Sequence, residues 1–158
     1  MAVPQRKNPR LTGYDYSQGG VYFVTVCTKD RAHLLSTVGR DDLGAPQVEL
    51  SSIGKITEKY TESISTHYQN VSVEKYVIMP NHVHMIIALH DGAPGSSRPT
   101  VSQIIGAWKR YVNRECNFSL WQPSFYDEII RNDAHFLNVW QYIDGNPAKW
   151  TEDEYYTE

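Results

Sequence analysis

The chain has 158 residues, 41% of them hydrophobic and 21% charged, with a net charge of −3 at pH 7. A chain of this size fits one domain and buries about 68–70% of its unfolded surface, so its core needs neither a disulfide nor a structural metal. Cys27 and Cys116 have no CxxC or zinc-finger spacing, which excludes a disulfide-stapled secreted scaffold, and the mild acidity leaves nucleic-acid contact to a local basic patch.

The N-terminal "MAVPQRKNPR" lacks the apolar stretch of a secretory signal, and no apolar run reaches the ~20 residues that span a bilayer. The expectation is a soluble, cytoplasmic, single-domain protein over 1–158, with a basic arm over 1–13 that carries Arg6, Lys7 and Arg10. "GVYFVTVCT" is rich in β-branched and aromatic residues and predicts a strand. "RDDLGAPQVEL" reads as a loop. From Ser51 the apolar residues Ile53, Ile56, Tyr60 and Ile64 fall on one helical stripe, with Ser51 or Ser52 as N-cap. "VSVEKYVIM" and "HVHMIIAL" predict two strands separated by a turn at Pro80–Asn81.

"HDGAPGSSRP" has a loop composition. A second helix is expected from Thr100, striped by Val101, Ile104, Ile105, Trp108, Tyr111 and Val112. "PSFYDEIIR" predicts a further strand, and a last helix runs from about Asp133 until Pro147 ends it. Residues 151–158 form an acidic tail. Helices alternating with strands, one pair joined by a short turn, predict an α+β fold that is ferredoxin-like, with antiparallel pairing and helices on the sheet faces.

Residues two apart on a strand share a face, so His82 and His84 project together at the mouth of the sheet. Two neutral imidazoles so placed can hold one divalent ion. Alone, the spacing serves equally well for two histidines satisfied by backbone or water. On the last helix Tyr142 and Asn146 are four residues apart and so neighbours on one flank. An asparagine carbonyl can complete a two-imidazole site, and a tyrosine beside it lies within reach of what the metal polarises. Alone, the asparagine also fits a helix C-cap. His135, one heptad before Tyr142, reads as a surface histidine. Tyr111 is expected in the core and Tyr126 in a strand, which leaves Tyr142 as the candidate nucleophile. Lys109, Arg110 and Arg114 on the second helix, Arg131 before the last one, and Arg10 in the arm are candidate phosphate contacts.

"YVIMPNHVHMII", "LWQPSFYDEIIRND" and "WQYIDGNPAKW" together resemble the HUH single-tyrosine transposases of the insertion-sequence type, most closely the REP-associated tyrosine transposases. The resemblance runs from about Tyr14 to about Trp150. It implies the HUH nuclease fold, His82, His84 and Asn146 as ligands of Mg²⁺ or Mn²⁺, and Tyr142 as nucleophile. It also implies single-stranded DNA as substrate, with hairpin or palindromic repeat ends, a 5′-phosphotyrosine intermediate and a free 3′-hydroxyl. Relatives include monomers and homodimers. Two other functions fit the same residues: a retired transposase that only binds single strands or hairpins, and a phosphodiesterase in which water attacks.

Overall fold

The computed structural model describes residue 14 and residues 20–90 and 99–157. The arm with Arg6, Lys7 and Arg10, and most of the Gly/Pro/Ser-rich segment, lie outside the described residues. In chain order the elements are β1 (Val21–Cys27), β2 (Ser36–Arg40), β3 (Pro46–Leu50), α1 (Ser52–His67), β4 (Val71–Ile78), β5 (His82–Leu89), α2 (Val101–Cys116), β6 (Tyr126–Ile129) and α3 (Asp133–Asp144). The main sheet has four strands in the order β4-β5-β1-β6, every neighbouring pair antiparallel. This is the α+β architecture expected from the sequence. Among the described residues no helix is long and apolar enough to cross a membrane.

The most apolar segment becomes a central strand because both of its faces are covered. Every residue of β5 is buried. Val83, Met85, Ile87 and Leu89 join Val24 and Val26 of β1 in a core closed by Ile64 of α1 and by Ile104, Ile105, Trp108 and Val112 of α2. The alternate residues Ile86 and Ala88 face the other way, with Val21, against Phe136, Val139 and Ile143 of α3. The two α2-side and α3-side cores therefore follow from the period of two in a strand and the period of 3.6 in the helices.

The helix starts are encoded locally. The Ser51 side chain accepts from the Gly54 N–H at 3.0 Å, and Thr100 forms a capping box with Gln103. At the start of α1 a Cβ on Gly54 would collide with the Leu35 carbonyl oxygen, which is backbone and has nowhere to go. Gly54→Ala is therefore expected to cost about 2–3 kcal/mol, lowering Tm by roughly 5–10 °C. Gly39→Ala, whose Cβ meets nothing within 4 Å, should change Tm little in the same melting experiment.

Two expectations are corrected. The predicted loop "RDDLGAPQVEL" holds β3 and the end of β2, paired as a two-stranded hairpin. Its residues are mostly exposed, so it lacks the apolar signal of a strand, and its turn is set by Asp41, whose Oδ1 accepts from Leu43 and Ala45 N–H at 2.9 Å. The last helix also stops earlier than Pro147. It ends at Asp144, and Pro147 opens a 3-10 turn over Pro147–Glu152. Proline cannot donate to the Ile143 carbonyl, which accepts from the Asn146 N–H instead, at 3.2 Å.

Candidate active site

The two histidines enter from a buried turn. Met79, Pro80 and Asn81 are all buried, and their polar groups are taken up locally. Leu35 N–H donates to the Pro80 carbonyl and Thr28 N–H to the Asn81 carbonyl, each at 3.0 Å. This fixes the phase of β5, so His82 and His84 face α3 with their ring centroids 4.5 Å apart. Both are buried, at 0% and 1% exposure, and so sit beneath the protein surface rather than at an open sheet mouth.

Each imidazole is oriented by its Nδ1. The Asn81 amide donates from Nδ2 to the Tyr155 carbonyl at 2.7 Å, so its Oδ1 is the acceptor for His82 Nδ1–H at 2.8 Å. Thr25 Oγ1 lies 2.8 Å from His84 Nδ1, and its hydroxyl can accept from Nδ1–H in the same way. In that tautomer both Nε2 atoms are lone-pair donors, the arrangement in which an outer partner orients a metal-ligating histidine. Burial lowers the His82 pKa to about 4, against a partly compensating pull from Asp153. Burial and the neighbouring His82 also hold His84 well below the ordinary histidine range. Both rings are thus neutral at neutral pH.

His82 Nε2, His84 Nε2 and Asn146 Oδ1 are buried and make no hydrogen bond. Asn146 is 2% exposed and, although beyond the end of α3, keeps helical backbone angles (φ −59°, ψ −43°). It therefore stays on the Tyr142 flank as if the helix continued. Its amide lies near both the His82 ring and the Tyr142 hydroxyl. The Tyr142 ring is 5.3 Å from that of His84 and 5.9 Å from Phe23, with 41% of the residue exposed. Burial and the Asp153 charge raise the Tyr142 pKa, and the nearby Asn146 amide opposes them. The structure thus brings Tyr142, His82, His84 and Asn146 together.

The C-terminal segment supplies residues that the sequence reading treated only as an acidic tail. Asp153 offers a carboxylate oxygen that lies with the His82 and His84 ring nitrogens inside a 4.8 Å cluster. Its Oδ1 accepts from Tyr155 N–H at 2.8 Å. The Tyr155 ring covers both imidazoles, 4.6 Å from His82 and 5.7 Å from His84, and Trp150 lies 6.0 Å from His82. The signal was present: aromatic residues inside "TEDEYYTE" are out of place in a solvated acidic run.

The candidate phosphate contacts fall elsewhere. Arg110 and Arg114 are exposed on α2, across the sheet from Tyr142, and Arg131 is exposed just before α3. Lys109 donates to the carbonyls of Gln122 and Ser124 at 2.8 and 3.0 Å, holding the loop before β6. Arg10 lies outside the described residues. Tyr111 is not in the core but 37% exposed, stacked on Tyr60 at 5.7 Å at the rim of the contact between α1 and α2. Tyr126 is on β6 as expected, and His135 is half-buried, 3.4 Å from Glu128.

Three unpartnered buried atoms, two imidazole nitrogens and an amide oxygen, with a carboxylate beside them, fit a divalent cation. Imidazole and oxygen donors are the ligand types such ions take. Burying these atoms without one leaves their desolvation uncompensated.

The chain is 28% identical over 178 aligned positions, covering 99% of it and 96% of the relative, to an uncharacterized protein of Haemophilus influenzae. It is 25% identical to a REP-associated tyrosine transposase of Escherichia coli K12, over 85% of this chain and 70% of that one. The solved structure of a REP-associated tyrosine transposase bound to a REP hairpin matches with a TM-score of 0.63 at 21% identity, over 95% of this chain and 74% of that one. No protein-family model matches the chain. The resemblance to the REP-associated branch of the HUH transposases, carried in the sequence by three segments, extends to whole-chain similarity and to the fold.

Proposed function

We propose that this chain, a relative of the REP-associated tyrosine transposases, is a metal-dependent single-stranded DNA transposase in which Tyr142 is the nucleophile. One observation carries the reading: His82 Nε2, His84 Nε2 and Asn146 Oδ1, buried and unpartnered, gather beside a half-exposed tyrosine. These three atoms, with the Asp153 carboxylate, would hold Mg²⁺ or Mn²⁺. A divalent ion there supplies charge stabilisation to the scissile phosphate.

The chain's own groups do the rest. The Tyr142 oxygen attacks phosphorus, the P–O3′ bond breaks, and the phenol proton ends on the departing 3′ oxygen. The products are a 5′-phosphotyrosine link and a free 3′-hydroxyl, so a second 3′-hydroxyl can run the step backwards onto a new end. Tyrosine with a pKa near 10 is mostly protonated at neutral pH. Asn146 favours the phenolate, while burial and Asp153 disfavour it. Occupying the Asp153 carboxylate with a cation removes one of those obstacles. Thr25 and Asn81 keep the two rings turned so that Nε2, not Nδ1, faces the centre.

The test is to mix the protein with end-labelled single-stranded DNA from the flanks of its own gene, in Mg²⁺ or Mn²⁺, and resolve it under denaturing conditions. A band of DNA bound covalently to protein, absent with EDTA, is the expected outcome. Cleavage without that band would mean that water is the nucleophile. Binding without cleavage would leave a hairpin or single-strand binder.

A further inference from the structure

A groove opens on one side of Tyr142, with a volume of about 590 Å³, between the β1–β6 edge and α3. Strand register builds its floor. His84 pairs with Thr25 and Thr25 with Tyr126, giving one row from the histidine to the sheet edge; the next row is Ile86, Phe23 and Glu128. Tyr126 thus lies two strand spacings, about 10 Å, from His84. The wall is the α3 stripe His135, Asn138, Val139 and Tyr142, at spacings that share one helix face.

The chemistry of the lining selects what can enter. Among the described residues its charged side chains are Glu128 and Glu154, with no lysine or arginine. A second phosphate would meet two carboxylates, so the sugar–phosphate backbone is excluded from the groove and a base is not. Tyr126 is 58% exposed on a short edge strand, an open aromatic face of the kind that stacks bases. Glu128 has a neighbour on α3: His135 Nδ1 accepts from the Arg131 N–H at 3.2 Å, and the ring's Nε2 lies 3.4 Å from Glu128 Oε1. The second carboxylate oxygen remains an acceptor.

We propose that this groove seats one unpaired nucleobase next to the scissile phosphate, stacked on Tyr126 and read through its amino group by Glu128. The inference rests on the proposed reading for where the phosphate lies. A carboxylate accepts from the amino group of cytosine, adenine or guanine, where thymine presents a carbonyl and has only its ring N3–H to donate. Tyr126 and Glu128 therefore act as a base-specificity pair beside the proposed nucleophile, supplied by the edge strand β6.

The test needs no chemistry. Without divalent metal, 2-aminopurine is placed in turn at each nucleotide around the cleavage position of the flank oligonucleotide, and its fluorescence is followed on adding protein. One position is expected to be quenched, and Tyr126→Ala to abolish that quenching and weaken binding about 5- to 150-fold. Thymine at that position should weaken binding to a similar extent in the parent protein. Glu128→Gln, whose amide can also donate, should narrow the gap between cytosine and thymine. Both positions are exposed, so neither variant threatens the fold. Absence of any Tyr126-dependent position, or equal binding of thymine there, overturns the inference. Loss of the covalent adduct with the quenching intact would instead overturn the proposed reaction and leave the base site standing.

Discussion

Tyr142→Phe is expected to abolish the covalent DNA adduct, lowering strand cleavage by roughly 10⁴-fold or more, while single-strand binding stays near the parent level. The phenylalanine ring keeps the contacts with Phe23 and His84, so the change removes the attacking oxygen and little else. The informative control is Tyr155, which the structure brings even closer to His82, at 4.6 Å between rings. Proximity alone does not choose between them; placement does. Tyr142 is 41% exposed on the α3 flank that leads to Asn146, whereas Tyr155 is less exposed and its carbonyl is tied to the Asn81 amide. Tyr155→Phe and Tyr111→Phe should therefore retain the adduct, measured as a labelled band under denaturing conditions. An adduct that survives Tyr142→Phe and disappears with Tyr155→Phe would transfer the nucleophile's role to the C-terminal segment.

The second large effect is on metal binding, with the opposite sign in stability. Mn²⁺ at about 100 times its dissociation constant should stabilise the folded chain by about 2.7 kcal/mol, raising Tm by roughly 5–10 °C. His82→Ala and His84→Ala should each abolish that rise. The double variant His84→Leu/Thr25→Val separates cost from function. It replaces both partners of the 2.8 Å contact with apolar groups and removes the unpartnered Nε2. Replacing a buried polar pair by apolar groups of similar shape is close to neutral or stabilising. Without metal this variant should melt at or above the parent temperature, and metal should no longer move it. A metal shift that survives in His82→Ala, His84→Ala and the double variant would place the ion elsewhere.

How much of this was legible depended on range. The caps at Ser51 and Thr100, the Pro80–Asn81 turn and the alternation along "HVHMIIAL" are local, and each carried its meaning in a few residues. His82, His84, Tyr142 and Asn146 could be marked because pairs two apart on a strand or four apart on a helix share a face whatever else the chain does. The β2–β3 hairpin was missed because exposed strands need no apolar alternation. In β4 an irregularity between Val73 and Lys75 resets the phase. Strict alternation would have put Lys75 with Val71 and Val73 on the α1 side, yet it reaches α3, with its Nζ 2.8 Å from Asp144 and 4.0 Å from the Trp140 ring centroid. Asp153 and Tyr155 escaped notice for a different reason. The aromatic residues in the acidic run mark it as docked but not where, because its partners Asn81 and Arg31 lie 74 and 123 residues away in the chain.

The packing of α3 has a further consequence. Phe136, Val139 and Ile143 bury that helix on the sheet of its own chain, and Lys75 clamps its C-terminal end. Tyr142, His82, His84 and Asn146 thus lie together within one folded chain, and under the proposed reaction such a chain would retain a single 5′ end at a time. Joining two ends then becomes an ordered exchange. The first 5′ end waits on Tyr142 while one 3′-hydroxyl leaves and another takes its place, so the residence time of that phosphotyrosine, rather than the speed of cutting, would decide whether a strand is transferred or simply resealed.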